Sequence, residues 1–198
     1  GGTVAAGLAG PARGARGPVR DYVLGARLLA GDGRVLKFGG EVMKNVAGFD
    51  VARLMSGALG TLGILTEVSL KCLPLPRTEA TRIFEMSADE AIRCVNEWGG
   101  QPIPLTATCF TNGRLSIRLS GATPAVEAAV ARLGGEPVED GAAFWRTVRD
   151  HAHPYFASVH EAGTALWRLS VKATAPYADL GGDQLIEWGG ALRWLDAG

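Results

Sequence analysis

Residues 39–76, GGEVMKNVAGFDVARLMSGALGTLGILTEVSLKCLPLP, join a short helix to a strand through a glycine-dense turn, and that join is the strongest constraint in the chain. Asp50 is placed to cap a helix start, Val51, Leu54 and Met55 fall on one helical face, and Ser56-Gly57 supplies the stop. Gly60-Thr61-Leu62-Gly63 then brings bare backbone to the mouth of a strand. In that strand Ile64, Thr66, Val68, Leu70 and Cys72 alternate with Leu65, Glu67, Ser69, Lys71 and Leu73, and Pro74 and Pro76 end it. Two readings of the paired glycines stand side by side. One is a tight connection between helix and strand. The other is a place where N–H groups approach a ligand too closely for side chains, which suits an anionic or edge-on nucleotide.

Composition bounds the rest. With 198 residues, 47% of them hydrophobic and 20% charged, the chain can form one large or two small domains with real cores, and disorder is not expected. Lys plus Arg equals Asp plus Glu at 20 each, and no stretch is strongly basic, so capture of nucleic acid or of an anionic membrane surface has no electrostatic source. No apolar run approaches the ~18 residues of a membrane span, and the first residues lack the charged and apolar regions of a signal peptide, which leaves a cytoplasmic protein as the expectation. Cys72, Cys94 and Cys109 are odd in number, lie in apolar patterns and show no C-x-x-C spacing. They read as buried, reduced thiols, not as disulfides, a zinc site or an iron–sulfur cluster. The 28 glycines follow no fixed period and mark turns between many short elements.

The first ten residues, GGTVAAGLAG, carry no charged side chain. Such a run is either a buried connection or a wall where backbone and small side chains lie against a flat ring and a phosphate. Residues 11–18, with Arg13 and Arg16, read as a mobile surface loop whose arginines are either solvated, the more common case, or turned to the phosphates of a ligand. Residues 22–30 and 34–38 are two strands joined by Gly31-Asp32-Gly33, a hairpin signal. Asn45 either bonds a ligand edge or caps the local turn, and Lys44 is solvated.

Glycine density falls after Pro76, and capped amphipathic helices appear, so a domain boundary is expected there, dividing residues 1–76 from 77–198. Residues 83–86 form a strand. Ser87 with Glu90 makes a capping box for a helix carrying Ala91, Ile92, Val95 and Trp98 on one face. Residues 105–110 and 115–119 flank Asn112-Gly113, a hairpin turn. Thr123 should cap a second helix with Pro124 at its first position and Val126, Ala129, Val130 and Leu133 on its inner face. A strand at 136–138 closes a β-α-β-β-α-β order, the ferredoxin-like arrangement. Residues 142–150 form a helix, and 166–171 and 184–195 form strands, the latter pair turning at Gly189-Gly190. His151, His153 and His160 are close in sequence, but no carboxylate completes a ligand face and Pro154 breaks the segment, so they read as loop or interface histidines and no metal is expected.

No G-x-S-x-G elbow, Walker loop or nucleophile with an adjacent base occurs. The stretch at 39–76 resembles the end of the FAD-binding domain of the vanillyl-alcohol-oxidase type flavoproteins, and most closely the FAD-binding subunits of bacterial glycolate oxidases. The resemblance extends back to GGTVAAGLAGPARGARGPVRDYVLG and forward to IEWGGALRWL at 186–195, nearly the whole chain. It implies an α+β protein: the second subdomain of a PCMH-type FAD-binding domain over residues 1–76, followed by a ferredoxin-like antiparallel cap that meets substrate or partners over 77–198. It also implies FAD as cofactor, with Gly2, Val4, Ala6, Gly7, Leu8, Ala9 and Gly10 on the flavin side and Gly60, Thr61, Leu62, Gly63, Ile64 and Leu65 completing the wall. The implied activity is oxidation of glycolate to glyoxylate, with electrons passed through flavin to a second flavin subunit and an iron–sulfur subunit, in the cytoplasm or at the inner membrane through that complex. No residue identifies itself as the catalytic base. Members of the family carry a separate glycine-rich pyrophosphate loop in a first subdomain, whereas this sequence opens at Gly1-Gly2 within the second and stops soon after Trp194-Leu195, so a fragment is expected. Two alternatives stay open, a non-catalytic assembly module of the same complex and another FAD-linked α-hydroxyacid or aldonolactone oxidase.

Overall fold

The computed structural model describes residues 1–40 and 48–198, so Lys44 and Asn45 lie outside the described residues. The chain divides into two units, Gly1–Ala9 with Gly17–Leu75 and Gly10–Arg16 with Pro76–Gly198.

The first unit begins with a single helical turn, α1 (Gly2–Ala5), while the next turn, α2 (Arg13–Arg16), belongs to the second unit. Strands β1 (Val23–Leu29) and β2 (Val35–Gly39) form the expected antiparallel hairpin, α3 (Val51–Leu54) follows, and β3 (Ile64–Leu70) pairs with the free edge of β1, giving the order β2-β1-β3. Asp50 caps α3 by accepting from Arg53 N–H at 3.0 Å. Val4, Val23, Ala26 and Ala52 form a small core, with Val19, Phe38, Leu65 and Val68 packed against it. The strict alternation expected along β3 is corrected here. Register shifts between Arg27 and Leu28, where Glu67 and Leu65 are the partners, so Thr66 is bulged. The bulge turns Leu65 and Val68 to the core and leaves Ile64 on the surface.

The second unit is built on a seven-stranded sheet. Its elements are β4 (Thr78–Glu85), α4 (Ala88–Gly99), β5 (Leu105–Thr111), β6 (Arg114–Gly121), α5 (Thr123–Leu133), β7 (Glu136–Pro137), α6 (Gly141–Arg149), α7 (Pro154–Ala162), β8 (Ala165–Ser170), β9 (Gln184–Glu187) and β10 (Leu192–Ala197). The strand order is β7-β4-β6-β5-β9-β10-β8. Its first four strands, with α4 and α5, are the ferredoxin-like unit that the sequence implied, extended by three further antiparallel strands.

Alternation in the strands feeds two cores. Ile117, Leu119, Leu115, Phe110 and Ile186 pack with Ala91, Ile92, Val95 and Val126 of α4 and α5. Ala107, Cys109 and Leu185 pack on the other sheet face with Trp145, Val148, Tyr155, Phe156 and Val159 of α6 and α7. The capping box on α4 forms as expected, Glu90 N–H donating to Ser87 Oγ and Ser87 N–H donating to Glu90 Oε2 at 2.9 Å.

Four local expectations are corrected. Cys72, read as a buried thiol, is exposed because it lies beyond the end of β3, whereas Cys109 is buried. Ala122, not Thr123, is the N-cap of α5, because the Thr123 hydroxyl is paired at 2.6 Å with that of Thr78, and Pro124 sits inside the first turn. Pro154 starts a helix instead of breaking one. A proline has no N–H to lose at the first helical position, and His153 is the N-cap, its Nδ1 accepting from Tyr155 N–H at 3.2 Å. The segment read as a mobile loop holds α2, with Pro11 buried and the Arg13 guanidinium 4.5 Å over the ring of Trp188.

Candidate functional site

The two sequence segments singled out for ligand contact meet in the first unit. Gly57 N–H donates to Val4 O at 3.0 Å and Leu59 N–H donates to Ala5 O at 2.8 Å, tying α1 to the loop that leads into β3. These bonds hold a turn dense in left-handed residues: Gly57 (φ 81), Leu59 (φ 53), Gly60 (φ 79) and Gly63 (φ 140). Leu59 has a side chain in a region that disfavours one, so the strain is balanced by the bond to Ala5.

The surface so built carries no ionisable side chain over residues 1–9 and 57–65. Leu8, Leu59, Leu62 and Ile64 are each more than half exposed on it. A Cβ added at Gly2 or at Gly60 would meet nothing within 4 Å. At Gly60 the positive φ accounts for glycine. At Gly2, in a right-handed helical turn, the fold itself makes no such demand, and the absent side chain leaves open surface.

Not every candidate faces outward. Val4 is in the core and Leu65 packs against it. Gly63 is glycine because Leu28 and the Leu29 carbonyl occupy the space beside it, a packing reason that the sequence pattern did not reveal. Gly10 belongs to the second unit, where its carbonyl accepts from Trp188 Nε1 at 3.1 Å. Ala6 and Ala9 are exposed and Gly7 (φ 64) lies against the backbone of Gly57.

The second unit holds buried polar chemistry that the sequence reading missed. Glu187 is 4% exposed on β9. Burial pushes its carboxyl up to about 7, against the opposing pull of the Trp194 Nε1 donor at 3.0 Å and of the Arg168 charge. Cys109, opposite Glu187 in the ladder, has its thiol pushed well up by burial and by that carboxylate, so it is inert as a nucleophile. His151 stacks on Phe156 with centroids 4.3 Å apart and meets Trp194 edge-on, and burial, then Arg168, hold it below its ordinary value. The sequence marked Cys109 only as a reduced thiol and His151 only as a loop or interface histidine, while Glu187 passed unremarked in the segment 184–188. Among the described residues no cluster of three or more His, Cys, Asp or Glu could hold a metal ion, and no helix is long and apolar enough to cross a membrane.

The chain is 51% identical over 195 residues, 98% of its length, to glycolate oxidase subunit GlcE of Escherichia coli (strain K12). The chain is a homologue of GlcE. It spans 54% of that relative, about half its length. Glycolate oxidase subunit GlcD of Bacillus subtilis (strain 168) is 45% identical over 65 residues, 33% of this chain and 14% of GlcD. A D-lactate dehydrogenase of Archaeoglobus fulgidus is 29% identical over 90 residues, 45% of this chain and 20% of that enzyme. Thus the relatives of this GlcE homologue are, by name, oxidases and dehydrogenases of 2-hydroxy acids. No protein-family model matches the chain. Among solved structures, two of alkyldihydroxyacetonephosphate synthase share the fold with TM-scores of 0.59 and 0.61 at 14% and 15% identity, each covering 98% of this chain and 49% and 47% of the synthase.

Proposed function

We propose that this GlcE homologue is part of the FAD-binding subunit of a glycolate oxidase, oxidising glycolate to glyoxylate and passing electrons to a second flavin subunit and an iron–sulfur subunit. The observation that carries the reading is 51% identity to GlcE sustained over 98% of the chain. The site fits a flavin: an uncharged apolar surface, small residues at Gly2, Ala6 and Ala9, and, beyond the adjoining backbone, nothing within 4 Å of a Cβ placed on Gly2 or Gly60. Residues Gly2, Ala6, Gly7, Leu8 and Ala9, with Gly60, Thr61, Leu62 and Ile64, would hold the ring system, while Val4, Gly63 and Leu65 keep the wall in shape from behind.

Bound FAD supplies the two-electron acceptance that no protein side chain here can provide. The chain's own contribution is orientation and exclusion of water, through Leu8, Leu59, Leu62 and Ile64 closing on the apolar part of the ligand. The assembly would work in the cytoplasm or at the inner membrane surface through its partners. Glycolate-dependent dye reduction by the reconstituted complex tests this, comparing the wild-type subunit with one whose wall carries Gly2→Val and Ala6→Leu. Loss of activity together with loss of this subunit's flavin supports the reading. Full activity of a complex in which this subunit holds no flavin would make it an assembly module.

A further inference from the structure

Counted outward from its centre, the sheet of the second unit is built twice. One half runs β5, β6, β4, β7, and the other, across the β5–β9 pair, runs β9, β10, β8. In chain order the first half places its second, third, first and fourth strands outward, and the other half places its second, third and first in the same succession. All these pairings are antiparallel, so a local twofold axis through the β5–β9 pair relates the halves. They differ in one connection, residues 171–183, which run as irregular chain between β8 and β9 where α4 joins β4 to β5. We propose that the outer edge of β8 is the docking site of a short antiparallel strand from elsewhere in the same subunit, the counterpart of β7, delivered by a helix that covers Trp167 as α5 covers β4.

The backbone of β8 is laid out for this. Val171 N–H donates to Ala191 O at 3.0 Å, so by the alternation of a strand Trp167 and Leu169 also bond toward β10, and the N–H and C=O groups of Leu166, Arg168 and Ser170 point the other way. Among the described residues no strand pairs with that side. On β4 the corresponding side is taken: β7 pairs with Arg82 and Ile83, and Val138 N–H donates to Thr81 O at 3.1 Å. A free edge is a template for pairing unless it is short, charged or broken by proline. β8 has six residues, no proline and one charge, on Arg168.

The side chains mark where the helix lies. Trp167 pairs with Leu195, and Leu169 pairs with Arg193, which pairs in turn with Ile186 of the core under α4 and α5. Trp167 and Leu169 therefore stand on the face that those helices cover in the first half. There Ala80 and Phe84 of β4 pack into the cluster that holds Val126 and Ala129 of α5. Trp167 is 58% exposed, a large aromatic in a core position of the repeat. A second copy paired edge to edge would leave it without a helix above, whereas the counterpart of α5 and β7 covers ring and edge together. GlcE of Escherichia coli has nearly as much chain again outside the 195 residues matched, enough to supply both elements.

The test is residue-resolved hydrogen exchange on the intact wild-type subunit at two protein concentrations. The amides of Leu166, Arg168 and Ser170 should exchange within about tenfold of those of Trp167 and Leu169, at a rate independent of concentration. An alternating pattern, with the three outward amides faster by more than that, would overturn the proposal. Protection that appears only as concentration rises, or only on adding another subunit, would overturn it too, since a second copy or a partner would then be the occupant. Trp167→Arg in the intact subunit should lower the melting temperature by about 5 °C or more, because the charge must be desolvated under a helix. An unchanged melting temperature would leave Trp167 in solvent and remove the helix from the account. Should that variant fail to fold, exchange in the wild type still decides.

Discussion

Leu28 fills the space that a side chain on Gly63 would need, and the Leu29 carbonyl lies 2.8 Å from the same point. The glycine that opens β3 is therefore a packing residue of the first unit, with φ at 140° adding a backbone demand. Gly63→Ala should cost about 2–4 kcal/mol of folding stability and Gly63→Val more, by overpacking and backbone strain together. Denaturant unfolding of the two variants checks this. Wild-type stability in either would mean that Leu28 moves aside freely.

His153 caps α7 through Nδ1, so the cap exists only while that nitrogen is unprotonated. Burial holds the imidazole below its ordinary value of 6.5. The folded state thus binds its proton less readily than the unfolded chain. The stability contributed by the cap is fully present above the unfolded value and is lost as pH falls from about 6.5 toward the lower folded value. His153→Ala should cost about 0.5–2 kcal/mol near neutrality, within the range for N-cap loss. Below pH ~6 the difference from wild type should shrink. A constant difference across that window would detach the cap from protonation.

Glu187 works in the opposite direction. Its carboxyl is raised from 4.5 to about 7 by burial, so between those values the unfolded chain ionises while the folded chain does not, and stability falls as pH rises through the window. Glu187→Gln keeps an acceptor for Trp194 Nε1 and removes the ionisation. The variant should match wild type near pH 4 and exceed it near pH 7 by on the order of 1–3 kcal/mol. Melting curves of both proteins across the range measure this, and a variant less stable near neutrality would show that the charge is compensated in the fold.

How far the sequence reveals all this varies with the kind of interaction. The ferredoxin-like order was legible because its signals are local: Ser87 with Glu90 at a helix start, Asn112-Gly113 between alternating strands, apolar residues at helical spacing in α4 and α5. What stayed hidden depends on neighbours distant in sequence. Thr123 looks like a cap until Thr78, 45 residues away, takes its hydroxyl. Pro154 looks like a break until His153 is seen to cap the helix that it starts. Arg13 is exposed as the sequence suggests, but its place over the ring of Trp188, 175 residues away, had no local signal. The same holds at the wall. The uncharged run 1–10 and the paired glycines at 60 and 63 each stood out in the sequence and the resemblance joined them as one wall, but the bonds from Gly57 and Leu59 to Val4 and Ala5 that tie them are tertiary, as is the Leu28 contact that gives Gly63 its role.

The central claim is that the wall formed by α1 and the turn before β3 holds a flavin. The most direct test is the visible absorption spectrum of the intact subunit after desalting, for wild type and Gly2→Val, with melting temperatures recorded alongside. Nothing within 4 Å of Gly2 obstructs a side chain, so the variant should fold with stability within about 0.5 kcal/mol of wild type. The account predicts bound flavin in the wild type and a large loss of it in Gly2→Val at an unchanged melting temperature. Equal flavin content in the two proteins would contradict it.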